Sequence, residues 1–463
     1  MIFIIFYMKK FFSPIITTPL IFFLLSSYLL IFQITDGISF NFLEVLLTTA
    51  LLNNFYLLYP HSSLKKFWSD SKKISLPLIL IIVGFSLSYI YNQQLTNWQN
   101  WSDGLGKLLD LIILPIIFGY SVHLISKQDF LQNNSLNDKT TPPLLKIFSL
   151  LPLGMTATIS YFFSATLIAL LGTFAILTSH LTFDNRLALF FQSPNQLAIF
   201  LSPALIIGIS FLFSQFNQTL LHSLKHYWLL YFSLLLLSLD IFFTKSLGSW
   251  LSLTFIILLL SSYHTIITNK TFSFLLIFLQ RHTFSIIFLL LLSNLIFIVN
   301  TDLFLTFQNY RPHIPPTSSD SRLTIYQVDQ KILSNHWLLG VGIGNFQRTY
   351  LRYQKYFPAY PQWAVPHAHN NLIHFWLEGG LLSGLGLLFI YLQIINPRLP
   401  QKTLPLQTTP KQKNSSPPSL PQLSMPQLTL LYFIIHGLID TTIWTPATAT
   451  FFWFTVIYYL NAD

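Results

Sequence analysis

Long apolar runs alternate with short polar joints along most of the chain. They fall near residues 12–34, 38–59, 74–92, 105–126, 150–179, 195–214, 227–243, 250–268, 284–300, 372–395, 427–442 and 446–460. Most run to about 20 residues, the length an α-helix needs to cross the hydrocarbon core of a bilayer. The pattern predicts an all-α integral membrane protein of about twelve transmembrane helices. Nine spans occupy 1–300, a large extracytoplasmic loop 301–371, a tenth span 372–395, a cytoplasmic linker 396–426 and two last spans 427–463. The first run resembles a signal peptide, but it is too long and no small-residue cleavage site follows, so it is expected to be a retained span.

Composition agrees: 52% of residues are hydrophobic and only 9% charged, where a soluble chain carries roughly a quarter charged. The formal net charge of +10 acquires its meaning from placement. With a cytoplasmic N-terminus, the inside joints hold Lys9, Lys10, Lys65, Lys66, Lys72, Lys73, Lys127, Lys225, Lys270 and Arg281, while the short outside joints hold Arg186 and Lys245. That bias sets an orientation and removes nucleic acid as the reason for the charge. There is no cysteine, which excludes disulfides, thiol nucleophiles and Cys-ligated metals.

The two long connections differ. Residues 397–426 are rich in Pro, Ser, Gln and Lys and read as a disordered linker. In 301–371 a Pro-rich entry precedes a segment in which Ile325, Val328, Ile332 and Leu339 recur near helical spacing, predicting short amphipathic helices. Arg348, Arg352 and Lys355 share one helical face there, read as a solvated or headgroup-facing stripe.

The candidate chemistry gathers where that loop meets the tenth span, in PHAHNNLIHFWLEGG (366–380). His367 and His369 are titratable near neutral pH. Asn370 or Asn371 can cap the following helix, whose N-terminal N–H groups favour an anion. A metal held by His367, His369 and His374 competes, but the stretch lacks a fourth ligand, and no metal or other cofactor is expected. Arg186, Lys245 and Arg322 are isolated outside cations suited to a phosphate. Asp110, Asp240, Glu378 and Asp440 lie in apolar runs and require interior partners. His436 and Asp440, spaced i, i+4, are expected to touch across one helical turn.

Several stretches together resemble the O-antigen ligase/polymerase superfamily of bacterial envelope enzymes. RLALFFQSPNQLAIF (186–200) resembles its basic residue followed by PN-x-LA, and TKSLGSW (244–250) its Ser-Arg-Gly-Ala-Trp segment. RLTIYQVDQKILSNHWLLGVGIGNF (322–346) is similar to its Arg-led helix and glycine turn. HAHNNLIHFWLEGG (367–380) resembles its His-Asn…Glu-x-Gly signature, and HGLIDTTIW (436–444) its C-terminal His…Asp element. The resemblance implies metal-independent, inverting transfer of a glycan from an undecaprenyl-pyrophosphate carrier to a hydroxyl of a lipid, glycan or protein acceptor, in the bacterial cytoplasmic membrane with the site on the extracytoplasmic face. It implies His369 as the catalytic histidine with His367 beside it. Arg322, Arg186, Lys245, Asn370 and Asn371 would meet the pyrophosphate, supported by Asn195, Glu378, His436 and Asp440. Leu247 stands where the family has arginine, so Lys245 can substitute only if its turn is non-helical. A polysaccharide polymerase or a protein O-oligosaccharyltransferase is the alternative within this fold, and a membrane transporter is the alternative from another class.

Overall fold

The computed structural model describes residues 31–35, 38–41, 72–93, 104–117, 119–120, 153–214, 220–268, 318–357, 365–395 and 424–460. Most of the expected spans at 12–34 and 38–59, the whole of 284–300, the loop entry 301–317 and the linker through residue 423 lie outside the described residues. Within them the architecture is helical, apart from an antiparallel ladder of β1 (Ile31–Thr35) and β2 (Ile38–Asn41). That ladder stands where the sequence predicts the end of one span and the start of the next. The intervening sequence, Asp36-Gly37, is a dipeptide that favours two-residue hairpin turns.

The first half of the helical body comprises α1 (Lys72–Gln93), a π-helical turn Leu109–Ile113, α2 (Leu153–Leu177), α3 (Pro194–Ser214), α4 (Leu220–Phe243) and α5 (Leu247–Thr268). From the expected loop come α6 (Ser318–His336) and α7 (Phe346–Gln354), followed by α8 (Asn371–Ile395), α9 (Met425–His436) and α10 (Pro446–Leu460). Helices α2, α3 and α4 pack mutually, and α9 joins α3, α5 and α10. Tyr161 of α2 stacks on Phe451 of α10 and donates to the Phe200 carbonyl of α3, tying three helices at one point. Several helices leave an apolar flank uncovered, as in α5 with Leu247, Leu251, Phe255 and Leu258. Such flanks suit hydrocarbon, which does not penalise exposed apolar surface as water does.

By length and apolar content, Pro194–Leu212 and Asn371–Ile395 can each cross a membrane. The second is not one straight rod. Gly380 has φ +74° and ψ −176°, which breaks the helix. Asn371 Nδ2 lies 3.1 Å from Tyr391 Oη, although twenty residues of straight helix would separate them by about 30 Å. The two arms therefore fold back on each other, and α1 packs against both. Gly386 of the second arm meets Ile81, while Gly379 and Phe375 of the first reach Phe85, the Phe375 and Phe85 ring centroids 5.2 Å apart.

The backbone groups freed at this break are taken up by the turn between α6 and α7. Val341 N donates to Leu377 O at 2.7 Å, Gly342 N to Glu378 O at 3.1 Å, and Leu381 N to Leu338 O at 3.1 Å. Gly340, Gly342 and Gly344 all have positive φ, and a Cβ on Gly340 would stand 2.6 Å from Gly380 N. The glycine turn thus exists to let two backbones meet. Ile325, Val328 and Ile332 of α6 are buried with Phe346 and Tyr350 of α7 in a second core, as the spacing predicts, whereas Leu339 lies beyond the helix end and is half-buried. Arg348, Arg352 and Lys355 are exposed.

Candidate active site

Asp440 is the hub of the polar cluster. It sits in the connection between α9 and α10, buried, with its Oδ1 accepting from Thr441 N at 2.8 Å and facing His369 Nδ1 at 2.9 Å. Its Oδ2 accepts from Asn195 Nδ2 at 3.1 Å and faces Arg322 Nη2 at 4.0 Å. Burial by itself would raise this carboxyl. The hydrogen bond from His369, with the other histidines around it, outweighs that and holds it well below the usual carboxylate range.

His369 is placed by its backbone. Its φ is +51°, an unusual conformation for a residue with a Cβ, and its carbonyl accepts from Tyr326 Oη at 3.1 Å. Strain of this kind costs about 1–3 kcal/mol and persists where the surroundings over-determine it. Asn370 caps α8, its Oδ1 accepting from Ile373 N at 3.1 Å, while Asn371 N donates to Gly437 O at 2.7 Å. Two of the first three N–H groups of α8 are therefore used within the chain. The helix N-terminus that the sequence offered as an anion cradle is largely closed.

Two further expectations change. Asn371 is fully buried, donating to Thr442 Oγ1 at 2.7 Å and to Tyr391 Oη, and accepting from Thr442 N at 2.9 Å. It fastens the broken helix to the α9–α10 connection and does not face a ligand. His436 and Asp440 do not pair through their side chains, because α9 ends at His436 and Gly437 opens a turn. His436 Nδ1 instead meets Tyr432 Oη at 2.7 Å. Glu378 braces the glycine turn, its Oε1 accepting from Phe346 N at 3.2 Å. A glycine turn before a helix invites a phosphate reading, but here the chain's own carboxyl group occupies the N-terminus of α7.

The candidate cations are not equivalent. Arg186 is fixed by its neighbours: Nε donates to Thr244 O at 2.7 Å and Nη2 to Asn195 Oδ1 at 2.7 Å. Burial lowers its pKa, while Asp184 and Asp440 pull it back. Lys245 is half-exposed in a turn with φ +50°, before α5 begins at Leu247, so the non-helical condition is met. His367 packs edge-on against His369 with ring centroids 4.6 Å apart. Burial and the neighbouring His369 push it down to about 4, with Asp440 opposing, so it is neutral at neutral pH.

His367, His369 and Asp440 each offer a ligand atom within 4.8 Å of the others. A cation there would displace the His369–Asp440 contact and lie against Arg322, and both Asp440 oxygens already accept from other donors. The donor set suits proton transfer better than metal ligation.

The sequence did not pair His369 with Asp440, 71 positions apart, or place Asn195 between Arg186 and Asp440. Gly437 was the available signal, since glycine after a helical run marks a stop and removes Asp440 from the face of His436.

Comparison with known families bears directly on this cluster. Residues 232–389 match the family model described as O-Antigen ligase, a span that contains Lys245, Arg322, His367, His369 and Glu378. Over that span, about a third of its length, the chain is similar to the O-antigen ligase family. A comparison with curated proteins finds no match. O-antigen ligases are membrane proteins with a glycosyl-transfer role in polysaccharide biosynthesis, and the apolar helices around the polar cluster suit that setting.

Proposed function

We propose that this chain transfers a glycan from an undecaprenyl-pyrophosphate carrier to an acceptor hydroxyl, with inversion and without a metal, at the extracytoplasmic face of the cytoplasmic membrane. The observation that carries the reading is the His369–Asp440 pair, with Arg322 Nη2 4.0 Å from the same carboxylate. Asp440 accepts a hydrogen bond from His369 Nδ1–H, which keeps that proton on Nδ1 and leaves Nε2 as the free base. The acceptor oxygen attacks the anomeric carbon while its proton passes to Nε2. The bond from the anomeric carbon to the pyrophosphate oxygen breaks, and its electron pair leaves with the pyrophosphate. Arg322 and Lys245 neutralise that charge, with Asn370 at the rim as a further donor. Pyrophosphate is a good leaving group, so a base and cations suffice. The acceptor is a lipid-borne glycan, a growing polysaccharide or a protein.

Two measurements test this. A deletion strain should accumulate undecaprenyl-pyrophosphate glycans, and purified protein in lipid should transfer the glycan from that donor to a hydroxyl acceptor. An unchanged carrier-lipid pool together with no transfer by the purified protein ends the proposal. For orientation, reporter fusions at residues 320 and 410 should fall on opposite sides of the membrane; placement on the same side removes the extracytoplasmic assignment.

A further inference from the structure

The family resemblance places Arg186 on the pyrophosphate, but its hydrogen bonds suggest another task. Its segment is anchored at both ends: Thr182 N donates to Arg186 O at 2.9 Å, and Leu187 N to Phe243 O at 2.9 Å. The guanidinium then donates from Nε to Thr244 O and from Nη2 to Asn195 Oδ1, both at 2.7 Å. An arginine has only donors, so the oxygen of the Asn195 amide must face it. The amide nitrogen must then face the other way, and there it donates to Asp440 Oδ2 at 3.1 Å. The opposite oxygen of Asp440 holds His369.

We infer that Arg186 is a positioning residue: it fixes the orientation of the Asn195 amide, which orients Asp440, which sets the proton placement on His369. This rests on the transfer reading above and gives Arg186 a different part in it. An unclamped Asn195 can turn its oxygen toward Asp440, where two acceptors repel and the carboxylate swings away from the histidine. The fork matters as much as the charge, because Thr244 O and Asn195 Oδ1 are held by two different nitrogens of one rigid plane.

The test uses full-length protein in lipid nanodiscs with undecaprenyl-pyrophosphate glycan as donor, and reads kcat and donor KM separately for Arg186→Gln, Arg186→Lys, Asn195→Ala and the Arg186→Gln/Asn195→Ala pair. Each single change should lower kcat about tenfold to a hundredfold, the effect of one charge-assisted contact, with donor KM within about threefold of wild type. Arg186→Lys should recover only part of the loss. The paired variant should be no slower than the worse single change, because both act through one chain of contacts. A rise in donor KM of about tenfold for Arg186→Gln with kcat preserved would place Arg186 on the donor and overturn the inference, as would wild-type kinetics in both Arg186→Gln and Asn195→Ala. Should Arg186→Gln fail to fold, Asn195→Ala and Arg186→Lys carry the same comparison. If wild type transfers nothing, the transfer reading fails by itself and the positioning claim is decided by a structure of Arg186→Gln or, if that does not fold, Arg186→Lys. A His369–Asp440 separation beyond about 3.5 Å with a turned Asn195 supports it, and wild-type geometry overturns it.

Discussion

Asp440→Asn is the sharpest perturbation of this site, because it replaces a single oxygen by NH₂ and forces a choice. The carboxylate serves His369 and Thr441 N with one oxygen and Asn195 with the other, at 2.9, 2.8 and 3.1 Å. Asparagine has a single oxygen. If it stays toward His369, the new NH₂ is pressed against the Asn195 donor. If it turns toward Asn195, the NH₂ faces His369 Nδ1, which must then accept, so the remaining proton moves to Nε2 and the base is gone. Loss of a positioned base lowers the chemical step by about 10²–10⁴-fold, or about 3–5 kcal/mol. Arg322, 4.0 Å away, loses at most about 4 kcal/mol of attraction to the carboxylate and becomes freer to meet pyrophosphate, so donor affinity should hold. Single-turnover transfer with donor preloaded in nanodiscs separates the two effects. The expected result is a slow chemical step with donor dissociation unchanged. A rate within about threefold of wild type would refute the claim that Asp440 sets the proton placement on His369.

His369→Ala should lower the same step by about 10²–10⁴-fold and His367→Ala by less, since Asp440 holds the former; the reverse order in single-turnover assays moves the base to His367. Gly340→Ala should lower the unfolding midpoint of purified protein by several degrees, from the positive φ at a cost of about 1–3 kcal/mol and the approach to Gly380 N; an unchanged midpoint would show that the turn can shift. Because His367 titrates at about 4 when folded but near 6.5 when unfolded, the unfolded chain binds the extra proton first. Stability should therefore fall as pH drops from about 6.5 toward 4, by at most about 1.4 kcal/mol per pH unit, and His367→Gln should flatten that slope in thermal melts. Arg322→Lys should keep part of the transfer activity and Arg322→Ala almost none, because a point charge replaces a two-pronged fork; equal activity in both would take Arg322 off the pyrophosphate.

Apolar run length and spacing determined the helical class and, among the described residues, most helix positions, since 3.6-residue periodicity and long apolar stretches are local properties of the chain. Val328 and Ile332 lie buried beneath α6 as their spacing predicts, and Pro446–Leu460 coincides almost entirely with its run. The glycines at 340, 342 and 344 announced a special backbone, but not what it was for. Only the tertiary structure decided that Gly380 breaks the apolar run after 371, because the cost of the break is met by hydrogen bonds from a turn some forty residues earlier in the chain. The same holds for the site. Residue types named the histidines, arginines and acids as candidates, yet pairing depends on which of them share a few ångströms after packing. Asp440 left the face of His436 because one glycine ended α9, and the fold then brought it to His369, Asn195 and Arg322, contacts of long sequence separation that no local pattern encodes.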